Sequence, residues 1–213
     1  GHDVRVYTPR YQTVRPAPFL PGSEVPAVFS EDEKYFGGRA ELYQVKGVDY
    51  PDNLERFSAF CQAAFPLVKE LDWRPDIIHC NDWQSALVIA YLKVLYRDDP
   101  FFKRTAAVYS VHNMAYLGMF PKEKLAATGL GPDQFKPDAL EFWGNIALTK
   151  AGFVYADVIN TVYETYAREI QTPEFGCGLD GLLRYRARDV YGIINGLDYD
   201  IWNPATDKNI PRR

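Results

Sequence analysis

The stretch Arg74–Lys93, "RPDIIHCNDWQSALVIAYLK", decides how this chain folds. Asp76 to Cys80 has the length and apolar content of a short buried strand. Ala86 to Tyr96 is apolar nearly all round, the pattern of a helix covered on more than one side. Between the two stand His79, Cys80, Asn81, Asp82 and Trp83. Titratable side chains at the tip of a buried strand either cap the helix that follows or face a ligand. An Asp cap contributes about 1 kcal/mol by satisfying free helix N–H groups, so the two readings of Asp82 stand level.

Working outward, Val4 to Thr8 reads as a strand, and the proline-rich, aperiodic Gln12 to Phe36 as a loop or excursion. Asp52-Asn53-Leu54-Glu55 has capping-box spacing, and Leu54, Phe57, Cys61, Phe65, Val68 and Leu71 then recur at helical intervals. Pro66 falls inside that helix and is expected to kink it or end its first part. Further strands are predicted over Ala106–His112, Asp157–Val162 and Asp189–Ile194. Helices are predicted from about Asp138 to Ala151 and over Glu164–Ile170. Nearly all-apolar strands alternating with helices predict an α/β fold, a parallel sheet with helices on both faces.

Composition narrows the function. The chain has 213 residues, 47% hydrophobic and 24% charged, enough for one substantial core. A formal charge of −4 with no Lys/Arg block argues against a nucleic-acid partner. No apolar run approaches the roughly 18 residues of a membrane span, so no membrane partner is expected. Cys61, Cys80 and Cys177 lack CxxC spacing and fit neither a disulfide framework nor a zinc site. They read as small buried hydrophobes in a reducing compartment. The opening "GHDVRVYTPR" lacks a methionine and runs almost directly into a strand, so residues upstream are expected to be missing.

In open parallel sheets, ligands bind beyond the carboxyl ends of the strands. Three such ends carry conspicuous side chains: His79, Asn81 and Asp82; then "SVHNMAYLGMF", with His112, Asn113, Tyr116 and Gly118; then "NGLD", Asn195 to Asp198. Two of the three histidines end apolar strands, which moderately favours a ligand role for His112. Asn195-Gly196 reads equally well as a turn. His79, Cys80, Asp82 and His112 offer metal-ligand types, but neighbouring strand residues diverge, and no metal is expected. "GCGLDG", Gly176 to Gly181, matches the dinucleotide pattern G-x-G-x-x-G. No strand feeds those glycines, so the nucleotide-dependent oxidoreductase reading fails on context.

"RPDIIHCNDWQSAL", "SVHNMAYLGMF", "NIALTKAGFVYADVINTVYETYAREI", "FGCGLDGLL" and "IINGLDYDIWNPATD" together resemble bacterial glycogen synthases and plant starch synthases. The likeness runs from about Tyr35 onward, with five motifs in order. It implies the amino-terminal, Rossmann-like half of a two-domain GT-B fold over residues 1–204, with 205–213 opening an interdomain linker. It also implies retaining glucosyl transfer from ADP-glucose to an α-1,4-glucan (glycogen or starch), with no cofactor.

On matching positions, the resemblance places His112 beside the transferred glucose and Asp82 in catalysis or acceptor positioning. Asn113 and Asn195 would line the donor-sugar pocket, and Tyr116 and Gly178 would lie near the cleft. Bacterial cytoplasm or plastid stroma would be the compartment. The family's first strand with its K-x-G-G-L loop, and its second domain, do not occur in these residues, and "DWH" is replaced by Asp82-Trp83-Gln84. These 213 residues alone are therefore expected to be inactive or nearly so. A different class of function, a non-catalytic glucan-binding or scaffold protein, stays open, with Trp83, Trp143 and Trp202 available for sugar stacking.

Overall fold

A computed structural model describes residues 1–15, 17–19 and 23–210. Parts of the predicted Gln12–Phe36 loop and of the 205–213 linker lie outside the described residues. The chain opens with a parallel pair, β1 (Val6–Pro9) and β2 (Ala27–Ser30). A two-stranded antiparallel hairpin, β3 (Gln44–Val45) and β4 (Val48–Asp49), leads into α1 (Asn53–Glu70). Then come β5 (Ile77–Asn81), α2 (Asp82–Val94) and β6 (Ala106–Val111). A small antiparallel unit of β7 (Met119–Pro121), β8 (Glu141–Phe142) and β9 (Asn145–Ala147) follows. The remainder is α3 (Leu148–Tyr155), β10 (Val158–Thr161), α4 (Glu164–Glu169), α5 (Asp180–Tyr185) and β11 (Val190–Gly192).

The central sheet has strand order β11-β10-β6-β5, every pair parallel. All four carboxyl ends therefore share one edge. The apolar α2 lies at the centre of the core, against α1, α3, β5 and β6, with Leu87, Ile89, Ala90 and Tyr91 wholly buried. Burying one such Leu or Ile contributes roughly 1.5–3 kcal/mol, which is why this segment organises the molecule. Gly152 brings α3 onto the sheet, where a methyl in its place would lie 2.6 Å from the buried Tyr109 ring. The result is the predicted parallel α/β class.

Several expectations are corrected. Among the described residues β5 is an edge strand, paired only with β6; Cys80 is buried, but Ile77 is 59% exposed. Residues 141–147 form an antiparallel hairpin and helix starts only at Leu148, because Trp143 and Gly144 take positive φ (50° and 78°) and reverse the chain. α1 does not end at Pro66 but continues to Glu70; Pro66 and Gln62 are both exposed, on the side where the missing N–H costs least. Asp52 does occupy the cap position of α1 but makes no side-chain cap bond; its carboxylate pairs with Arg39 at 2.6 Å. The Gln12–Phe36 segment contains β2. Cys61 and Cys80 are buried, and burial pushes the Cys80 thiol up to about 12, but Cys177 is exposed.

Candidate active site

Asn81 and Asp82 are consecutive, the last residue of β5 and the first of α2. Consecutive strand side chains normally point to opposite faces. Asp82 breaks that rule with φ of +55°, a left-handed conformation that Asp tolerates better than most residues. Both side chains consequently reach His112, which directly follows β6. Asp82 Oδ1 accepts from the His112 backbone N–H at 2.8 Å, and Asn81 Oδ1 lies 3.1 Å from His112 Nε2. With the amide oxygen as acceptor, His112 Nε2–H donates to Asn81, and Nδ1 is the ring nitrogen left free of that contact.

α2 has no side-chain cap bond, and the Asp82 carboxylate holds the neighbouring strand end rather than capping the helix. Ser85 Oγ serves the helix start instead, bonding both the N–H and the C=O of Asn81 at 2.7 Å.

The loop after His112 is fixed from two sides. Met114 N–H donates to Tyr166 Oη at 3.1 Å, and Asn113 Oδ1 closes a local turn by accepting from Ala115 N–H at 2.9 Å. Gly118, at φ +63°, sits on the buried Trp83; an added Cβ would come within 2.8 Å of Trp83 Cβ. Only glycine meets both demands there. His112, Asn113 and Tyr116 are left exposed, Tyr116 to 59%.

The other candidates are near the same edge or apart from it. Asn195 follows β11 and lines a cleft of about 950 Å³ with Tyr163, Glu164, Ile193 and Ile194. Gly178, at φ +81°, belongs to a separate loop that rests against Phe142 and Trp143. His79 is mid-strand rather than at the tip; its Nε2 lies 2.5 Å from Ser110 Oγ, which in turn bonds Asn160 Oδ1. Burial lowers the His79 pKa, and nearby His112 lowers it further. Among the described residues, no three His, Cys, Asp or Glu side chains gather closely enough to hold a metal ion. Tyr166 is a positioning contact that sequence reasoning missed, and Asn81, conspicuous in the sequence as a strand-end side chain, had no partner assigned to it. Nothing in residue type signals either contact; the one with Asn81 depends on the φ of Asp82.

A parallel α/β sheet with a histidine, an aspartate and asparagines gathered at its carboxyl edge, the edge at which such sheets bind ligands, defines a Rossmann-like α/β unit. Residues 1–185 match the family model described as "Starch synthase catalytic domain", and the chain belongs to that family. A glycogen synthase of Geotalea daltonii is 44% identical over 236 residues, covering all of this chain and 49% of that protein. The glycogen synthase of Thermotoga maritima is 49% identical over 191 residues, 90% of this chain and 38% of that one. Among solved structures, the catalytic domain of starch synthase IV from Arabidopsis thaliana, bound to ADP and acarbose, matches with a TM-score of 0.83 at 28% identity. That match covers 98% of this chain and 47% of the other, a GT-B catalytic domain. The chain thus spans about half the length of the relatives it matches.

Proposed function

We propose that this chain is the amino-terminal half of a glucosyltransferase that moves glucose from ADP-glucose to the non-reducing end of an α-1,4-glucan with retention of configuration. In this reading residues 1–204 form the catalytic amino-terminal domain and 205–213 lead toward a second. The observation that carries it is the joint hold of Asn81 and Asp82 on His112 at the carboxyl edge of the sheet. The family match and the relatives named glycogen synthase support the reaction class, and the ADP and acarbose bound to the solved relative support a nucleotide-sugar donor.

Glucosyl transfer develops positive charge on the sugar while a diphosphate leaves. His112 offers its other ring nitrogen, Nδ1, to a glucose hydroxyl and so orients the ring. The Asp82 carboxylate favours the oxocarbenium-like charge and fixes the backbone that carries His112. Asn113 and Asn195 orient sugar hydroxyls, with Tyr116 and Gly178 at the margin. ADP-glucose is substrate, and no cofactor enters. The compartment is bacterial cytoplasm, or plastid stroma if the source is a plant.

The test is radiolabelled glucose transfer from ADP-glucose to glycogen by the full-length gene product and its His112→Ala and Asp82→Ala variants. Transfer should fall at least 100-fold with His112→Ala, as for loss of a group aimed at the reacting centre. A full-length product that binds glucan yet transfers nothing would hand the reading to a non-catalytic glucan-binding protein.

A further inference from the structure

The four tryptophans have different fates. Trp83 is core; Trp73 donates to Asp3 and lies under Arg5; Trp202 is exposed in the terminal segment, with no ring partner among the described residues. Trp143 is 78% exposed yet rigidly backed, stacked on the buried Phe142 with centroids 4.7 Å apart and planes at 13°. Its backbone is left-handed, a conformation that costs an ordinary residue about 1–2 kcal/mol. The turn that imposes this is itself pinned. Glu141 Oε1 accepts from Gly144 N–H at 2.8 Å, and the buried Lys150 ammonium donates to the carbonyls of Glu141 and Pro137.

The glycine loop closes on the same rings, since a Cβ on Gly178 would lie 3.0 Å from both. A large aromatic is therefore held outward in strained backbone by a built support, and it gains little burial in return.

Size and rim identify the occupant. A stable protein interface needs about 800 Å² per partner, far more than the one exposed indole that this hairpin offers, with Glu141 and Asn145 beside it in the chain. An indole matches the C–H face of a hexose, and the polar neighbours match its hydroxyls. The hairpin is also joined to the loop bearing His112: β9 pairs with β7, and Leu148 N–H donates to the Gly118 carbonyl at 3.1 Å. We infer that Trp143 is a stacking platform for a glucosyl unit of the α-1,4-glucan, a binding site additional to the residues assigned above. The choice of an α-glucan rests on the proposed function.

The experiment follows indole N–H resonances of the 213-residue chain while maltoheptaose is added, with cellohexaose as the β-linked control. The Trp143 resonance should shift saturably with maltoheptaose and much less with cellohexaose, while Trp202 stays still. Trp143→Ala should weaken binding at least tenfold and Trp143→Phe only two- to threefold. A stationary Trp143 resonance, undiminished binding by Trp143→Ala, or no glucan binding by the chain would each overturn the inference. Failure of transfer in the full-length protein alongside an intact Trp143 response would sink the transferase reading and leave the platform standing. The reverse pattern would remove the platform alone.

Discussion

His112 takes its orientation from two side chains that one left-handed residue brings to the same face. Asn81 fixes the imidazole through Nε2, and Asp82 fixes the backbone through its N–H. The two jobs separate by mutation. Asn81→Ala should free the ring while leaving the strand end in place; nitrogen-15 shifts of His112 would then show both tautomers where the parent shows one. In the full-length protein the same variant should lower kcat about tenfold, the worth of one neutral hydrogen bond. An unchanged tautomer would mean that the ring is held by something other than Asn81. Asp82→Ala removes a charge-assisted bond at a half-buried site, so it should also cost the fold about 1.5 kcal/mol, read from urea unfolding.

Whole elements depend on buried polar groups in the same way. Arg56 of α1 is fully buried, with no carboxylate bonded to it. It donates to the Tyr35 and Leu42 carbonyls and to Asn53 Oδ1, and rests against Phe36, Tyr50 and Phe57. It thereby ties the segment before α1 onto the helix. Arg56→Leu would take the donor from the Tyr35 carbonyl and from Asn53 Oδ1, while the Leu42 carbonyl keeps Tyr11 Oη, and should destabilise by about 2 kcal/mol, measurable by chemical denaturation. In β5, burial and neighbouring His112 hold His79 below its ordinary pKa, so the folded state favours the neutral ring. The unfolded chain takes up that proton first as pH falls below about 6.5, and stability should decline from there toward the folded value. His79→Gln should flatten that slope in urea midpoints collected between pH 7 and 5.5.

These elements also show what a sequence can reveal. The apolar α2 and the histidine ending β6 were legible because burial and strand-end position leave a pattern in residue type. The exposure of β5 was not, since edge or interior is decided by strand order. The 141–147 hairpin was hidden because "EFWGN" is compatible with a helix until Trp143 takes positive φ, and the partnership of Asn81 with His112 was hidden for the same kind of reason.

At the scale of the molecule, the site lies open at one edge of the sheet, and the run beyond it is apolar and uncovered, with Ile194 79% and Trp202 70% exposed. An exposed apolar stretch of that extent marks a surface that another body covers. The chemistry makes the same demand. A departing diphosphate carries concentrated negative charge, and its neutralisation is the main electrostatic requirement of the transfer. None of the side chains directly after the four central strands, from Asp82 to Gln84, His112 to Tyr116, Val162 to Thr165 and Ile193 to Asp198, is a lysine or arginine. In the proposed transfer, these strand ends would orient the sugar and leave the departing diphosphate unscreened. The 213-residue chain alone should therefore transfer no glucose above background from ADP-glucose to glycogen, in an assay where the full-length gene product is active. It should nevertheless fold cooperatively around α2 and bind a hydrophobic dye through its uncovered apolar run. Robust transfer by the short chain would show that cations outside these strand ends, but within these residues, suffice to discharge the diphosphate. Sugar orientation by these residues with charge neutralisation from outside them would then be the wrong division of labour.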